Sequence, residues 1–253
     1  MLSTLGVLFV AGGLAAVHVG AGRLEFLRGM PRSRWLSLCG GISVAYVFVH
    51  LLPEVTEHQS RVVEALEPTN VVLAATHERS LFIAALVGFT LFYGLEQIVR
   101  RSRRGSDSET SGGERTIQGV SGVFWIHVGS FALYNGLIGY LLLHREETGV
   151  SSLVLYAMAM GVHFVVNDYG LREHHRATYD RIGRWLLAGS ILGGAAVGAL
   201  VGVPELVLSL LLAFLAGGVI LNVIKEELPA DRESRFWAFA AGLVGYTIIL
   251  LLG

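Results

Sequence analysis

Apolar residues run along this chain in blocks of about twenty, and polar residues collect between the blocks instead of striping one face of them. A helix that crosses a bilayer needs about 20 mostly apolar residues. Eight windows meet that requirement: 2–22, 35–54, 80–99, 120–143, 151–171, 184–203, 205–224 and 236–252. No basic residue precedes the apolar run of the first, which argues for a retained helix over a secretory signal. The pattern predicts an all-α integral membrane protein, with residues 1–253 forming a single transmembrane domain.

Composition agrees with lipid as the solvent. Apolar side chains make up 53% of the chain, glycine adds 32 residues, and charged residues reach only 15%. Soluble domains carry about 45–50% apolar residues with glycine included, and about 25% charged. The lone Cys39 excludes an intrachain disulfide framework and any multi-cysteine metal site. A net charge of −1 gives no reason to expect a nucleic-acid partner. No nucleophile–base arrangement or phosphate loop is present, so no enzyme activity is expected.

Basic residues set the expected orientation. Segments 23–34, 100–119, 172–184 and 225–235 hold four, five, four and three of the 19 lysines and arginines, leaving Arg61, Arg79 and Arg145 opposite. The positive-inside bias then puts both termini outside a plasma or inner membrane. The stretch 100–119 is rich in Arg, Ser, Gly and Glu and reads as a flexible cytoplasmic loop between helices three and four. The acidic segment Val55–Arg79 is expected outside, with a short surface helix over Ser60–Leu66.

Two segments are alike. Helix two reads Cys39-Gly-Gly-Ile-Ser-Val-Ala-Tyr-Val-Phe-Val-His-Leu-Leu-Pro-Glu54, and helix seven reads Ala216-Gly-Gly-Val-Ile-Leu-Asn-Val-Ile-Lys-Glu-Glu-Leu-Pro229. Each opens on paired glycines and closes beside Leu-Pro, and the orientation above runs them in opposite directions. Secondary transporters are often built from such inverted repeats, with the substrate between them. The expectation is an inverted repeat of helices 1–3 and 6–8. Gly194 and Gly198 in helix six have a spacing that permits close helix packing.

His50-Leu51-Leu52-Pro53-Glu54 and Ala216-Gly217 with Glu226-Glu227-Leu228-Pro229 resemble the corresponding helices of the ZIP family of divalent-metal transporters. The resemblance implies eight helices, outside termini, a cytoplasmic loop after helix three, and a divalent ion such as zinc as substrate. The family's metal motif in helix four, His-Asn-x-x-Asp/Glu-Gly, falls on Phe131-Ala-Leu-Tyr-Asn135-Gly136, where the His and Asn are absent and an amide stands at the acid's place. Its helix-five motif, His-Glu-x-x-His/Glu, is matched by His163-Phe-Val-Val-Asn167, followed by Asp168.

Ionisable groups within spans are costly and mark ion or proton pathways when they face the bundle interior. His163, Asn167 and Asp168 share one broad face of helix five, and imidazole, amide and carboxylate are all plausible zinc ligands. Asn135 is the family-matched position on helix four, with His127 two turns away on nearly the same side. His50 and Glu54 fit an entrance, and Glu226 an exit. These eight residues are the candidate metal-handling set. His18 and Glu96 read as interface residues, and His175 as a poor ligand flanked by arginines.

The leading expectation is thus a ZIP-like transporter of a divalent metal by alternating access, with a degenerate site. One rival keeps the fold as a non-transporting structural or regulatory membrane protein. A second has His127 and His163 holding a b-type haem, which needs two histidines at matching depth. No firm cofactor is expected beyond the metal itself, and a homodimer stays open.

Overall fold

The computed structural model describes residues 4–21, 34–57, 60, 79–108, 117–145, 149–227 and 235–252. The described residues are helical rods and short turns. In chain order they are α1 (Thr4–Ala21), α2 (Arg34–Glu57), α3 (Ser80–Ser108), α4 (Ile117–Leu142), α5 (Val150–Thr178), α6 (Arg184–Leu200), α7 (Glu205–Glu227) and α8 (Phe236–Leu252). Six of them (α1, α2, α3, α5, α6 and α7) are long and apolar enough to cross a membrane, and α8 is a shorter apolar helix.

These helices are apolar all round, so they bury one side and present the other to an apolar surrounding. Leu5, Phe9, Leu86, Leu133, Leu251 and Leu252 are all mostly exposed. Such a surface is that of a multi-pass membrane protein. All four tryptophans, Trp35, Trp125, Trp185 and Trp237, are exposed in the early turns of α2, α4, α6 and α8. Each of those helix starts follows a basic segment, and indole rings at such a boundary form an interfacial belt.

Glycine decides how the rods meet. α2 packs chiefly on α8, α3 on α7 and α4 on α6, while α1 lies against both α5 and α6. A Cβ at Gly41 would run into the backbone of Phe239 and Leu243, and one at Gly217 into the backbone of Ala85 and Phe89. Conversely, Gly242 sits on the backbone of Leu38, and Gly88 on that of Phe214. The registers of the two crossings match: Gly41 stands to Gly217 as Leu38 to Phe214 and as Phe239 to Ala85. Without a hydrophobic force between helices in lipid, close backbone approach of this kind is a main source of association.

Gly194 and Gly198 pack as their spacing predicts, against the backbone at Gly136 and Tyr140 of α4. Two other segments differ from expectation. The chain between α5 and α6 is a helical corner, not an open loop. The backbone breaks helical geometry at His175 (φ −135°, ψ 35°) and then makes a π turn, Tyr179–Gly183, before α6. Arg172 and Asp180, paired at 2.7 and 3.0 Å, brace that corner. α3 also continues to Ser108, into the stretch expected to be flexible, because arginine sustains a helix well. Residues 109–116 and 61–66 lie outside the described residues, as do the side chains of Glu226 and Glu227.

Candidate cation site in the bundle interior

Helix α5 carries three of the buried polar residues, His163, Asn167 and Asp168. His163 and Asn167 lie one turn apart and bond directly, Asn167 Nδ2 to His163 Nε2 at 2.8 Å. The Tyr134 hydroxyl of α4 stands 3.4 Å from the same nitrogen, with Asn222 of α7 beside the tyrosine. His163, Asn167 and Asn222 line a narrow space with Gly40 and Ser43 of α2. That space has no room for a water-sized sphere, so the site is closed in this conformation.

The amide groups there are incompletely satisfied. Asn167 Oδ1 and both polar atoms of Asn222 are buried without a hydrogen-bond partner. Unpaired buried polar atoms carry a desolvation cost of about 1–3 kcal/mol each. Their clustering around one space is what a guest with polar or ionic contacts would relieve.

Asp168 does not reach water. It turns inward, 1% exposed, and meets His18 of α1, whose Nδ1 lies 2.9 Å from both carboxylate oxygens. Asn135 Nδ2 donates to His18 Nε2 at 3.0 Å. The three side chains form one buried chain of polar contacts, Asp168–His18–Asn135. Asn135 Oδ1 is left without a partner. The Phe164 ring covers His18 at 4.5 Å between centroids and excludes solvent.

Seven of the eight expected residues have described side chains, and they fall in five places; the side chain of Glu226 is outside the described residues. His163 and Asn167 meet at the closed space. Asn135 and Asp168 join the adjacent triad through His18, a residue expected only at an interface. His127 lies elsewhere on α4, with Nδ1 3.3 Å from His175 Nε2 and Nε2 3.9 Å from Glu96. His127 and His163 therefore have different neighbours and share no space. His50 sits in a π turn of α2, Val47–Leu51, with its ring 5.1 Å from that of Tyr46.

Glu54 lines a small cavity with Tyr46, His144, Arg145, Tyr156 and Met160, whose free volume of about 20 Å³ admits about one water. Met160, which lines this cavity, is one turn from His163 on α5. The signal that could have found His18 is plain in the chain: it is the lone ionisable residue of window 2–22. A carboxylate buried in α5 requires a partner, and a solitary histidine in another span can supply one.

Among the described residues no group of three or more histidines, cysteines or carboxylates is arranged to hold a metal. No protein-family model and no curated protein matches the chain.

Proposed function

We propose that the chain is a membrane transporter for a divalent metal cation such as zinc, organised like the ZIP family that it resembles. It has eight spans, an inverted repeat of helices 1–3 and 6–8, and both termini outside a plasma or inner membrane. The single observation that carries this reading is the set of buried, unpartnered amide atoms of Asn167 and Asn222 facing His163 between α2, α5 and α7. A space lined by α2 and α7 is where an inverted repeat would put its substrate. The matched glycine registers of the α2–α8 and α3–α7 crossings support the same organisation.

His163 Nε2 supplies a nitrogen ligand, and rotation of the Asn167 amide turns its carbonyl oxygen toward the same point. Asn222 offers a second oxygen from α7. Asp168, adjacent to Asn167 and held by His18, contributes the nearest carboxylate charge. One negative charge leaves a dication half neutralised in a low-dielectric setting, which is costly. The site is therefore weaker than one lined by two or three acids. Alternating access then requires Met160 and the aromatic residues Tyr46 and Tyr156 to part on one side. On the other side the Lys225–Glu96 ion pair must move aside from α3 and α7.

Zinc and cadmium uptake into proteoliposomes tests this. Transport is expected in the native chain and lost in His163→Ala, while Asn167→Asp should bind the ion more tightly. Uptake and metal affinity unchanged by His163→Ala would replace transport with the structural role. Accessibility labelling at Ser106→Cys (expected cytoplasmic) and Ser60→Cys (expected external) tests the orientation; the reverse pattern would overturn it.

A further inference from the structure

The corner between α5 and α6 carries more positive charge than it neutralises. Segment 172–184 holds four arginines against Glu173 and Asp180. Asp180 is committed to Arg172, at 2.7 and 3.0 Å. Among the described residues no carboxylate pairs with Arg181 or Arg184. Arg184 Nε is buried without a hydrogen-bond partner, and the guanidinium carbon stands 5.4 Å from the centre of the Trp185 ring. An aromatic face attracts a guanidinium, yet it satisfies none of the N–H donors that lie in the guanidinium plane.

Spacing puts these groups on one face. Arg181 lies three residues before Arg184 and four before Trp185, separations that make side chains neighbours on a helix. Ile182, three residues before Trp185, is exposed like it. Two adjacent arginines repel one another unless an anion lies between them. The level of this face in a bilayer follows from the α4–α6 crossing. Gly136 meets Gly194 and Tyr140 meets Gly198, so the two helices run parallel and in step. Counted back along that register, the exposed Trp125 of α4 falls within one turn of Trp185. Two indoles at one depth mark the headgroup region. The anion concentrated at that depth is the phosphate of a lipid.

We infer that Arg181 and Arg184 hold the headgroup phosphate of an anionic phospholipid, with Ile182 and Trp185 against its acyl chains. Guanidinium forks match phosphate oxygens in both geometry and charge. A zwitterionic lipid is the poorer guest, because the same two arginines repel its ammonium group. The lipid becomes a second brace on this corner, beside the Arg172–Asp180 pair, close to the point where the helix breaks at His175. The site does not depend on the transport reading.

Native mass spectrometry of the delipidated full chain, titrated with phosphatidylglycerol or phosphatidylcholine, tests it. The native chain is expected to retain phosphatidylglycerol in preference. Arg181→Gln and Arg184→Gln should each weaken that retention about fivefold, the effect of one basic residue at an anionic surface, and the double variant about thirtyfold. Arg79→Gln, at the far end of α3 from Glu96, should leave it unchanged. If the double glutamine variant does not fold, Arg181→Lys with Arg184→Lys takes its place. That variant should keep the lipid preference at lower retention, since lysine keeps the charge but not the fork. Equal retention of the two lipids by the native chain would overturn the site, as would a preference that survives the double glutamine variant or is lost equally in Arg79→Gln. Thermal stability raised as much by inorganic phosphate as by phosphatidylglycerol would put a free anion there and overturn the lipid.

Discussion

Under the proposed inverted repeat, the α4–α6 pair and the α5–α1 pair occupy equivalent places, yet they are built in opposite ways. Between α4 and α6 the backbones touch. A Cβ at Gly139 would strike Ile191 and Ala195, and one at Gly194 would strike Gly136. Between α5 and α1 the nearest atom to a Cβ at Gly161 is a Leu14 methyl at 3.9 Å, and Gly12, Gly13 and Gly20 have nothing within 4 Å. That wider gap holds the His18–Asp168 pair. Glycine removes the space in which a polar side chain could sit between α4 and α6, and the His18–Asp168 pair sits instead between α1 and α5. The tight pair acts as a rigid wall, and the open pair supplies the chemistry.

The largest effect should come from destroying the wall. Gly194→Leu places a branched side chain where the Gly136 backbone lies, and neither helix can yield without separating from the other. A loss of at least about 3 kcal/mol is expected, at or beyond the usual upper range for overpacking. Thermal unfolding and size-exclusion profiles in detergent check it. A well-folded Gly194→Leu protein would mean that the α4–α6 contact does not hold the bundle together.

The open pair should respond by charge. Removing each partner has a different consequence, because His18 covers both carboxylate oxygens of Asp168 while Asp168 covers one ring nitrogen of His18. His18→Ala strands a buried carboxylate, an expected loss of about 3–5 kcal/mol. Asp168→Ala strands the His18 Nδ1 donor, an expected loss of about 1–3 kcal/mol. Replacing both with leucine should restore much of the stability while abolishing transport. A double-mutant cycle by detergent unfolding reads the asymmetry, and equal single losses would mean that each partner depends on the other to the same extent.

The helices were legible because unbroken apolar runs of sufficient length have few alternatives in water or lipid. Gly40-Gly41 and Gly217-Gly218 were visible as similar segments, although the structure aligns Gly41 with Gly217, one residue away from a simple match of the pairs. The site was legible only along single helices: His163 with Asn167 follows from spacing. Contacts between helices distant in sequence were not. Asp168 finds His18 across 150 positions, and His127 finds His175 only because the helix breaks at His175 itself. Nothing in the apolar pattern announces that break, since Arg172–Arg184 reads as an ordinary polar connection. Each of these misses depends on how two rods are rotated about their axes, which the pattern along a single helix does not state.

The smallest expected effect tests whether α1 is as open as it looks. Gly12 is exposed and a Cβ there would meet nothing within 4 Å. Glycine inside a helix costs about 0.5–1 kcal/mol relative to alanine through backbone entropy. Gly12→Ala should therefore raise stability by up to that amount, with transport unchanged, because the new methyl touches neither His18 nor its partners. Differential scanning fluorimetry in detergent and in lipid nanodiscs reads it. A destabilisation in nanodiscs that is absent in detergent would show that a second chain or an ordered lipid packs on the Gly12–Gly13 face. In that case the α1 side of the bundle would be an interface, and the contrast between a closed pair and an open one would hold only within a single chain.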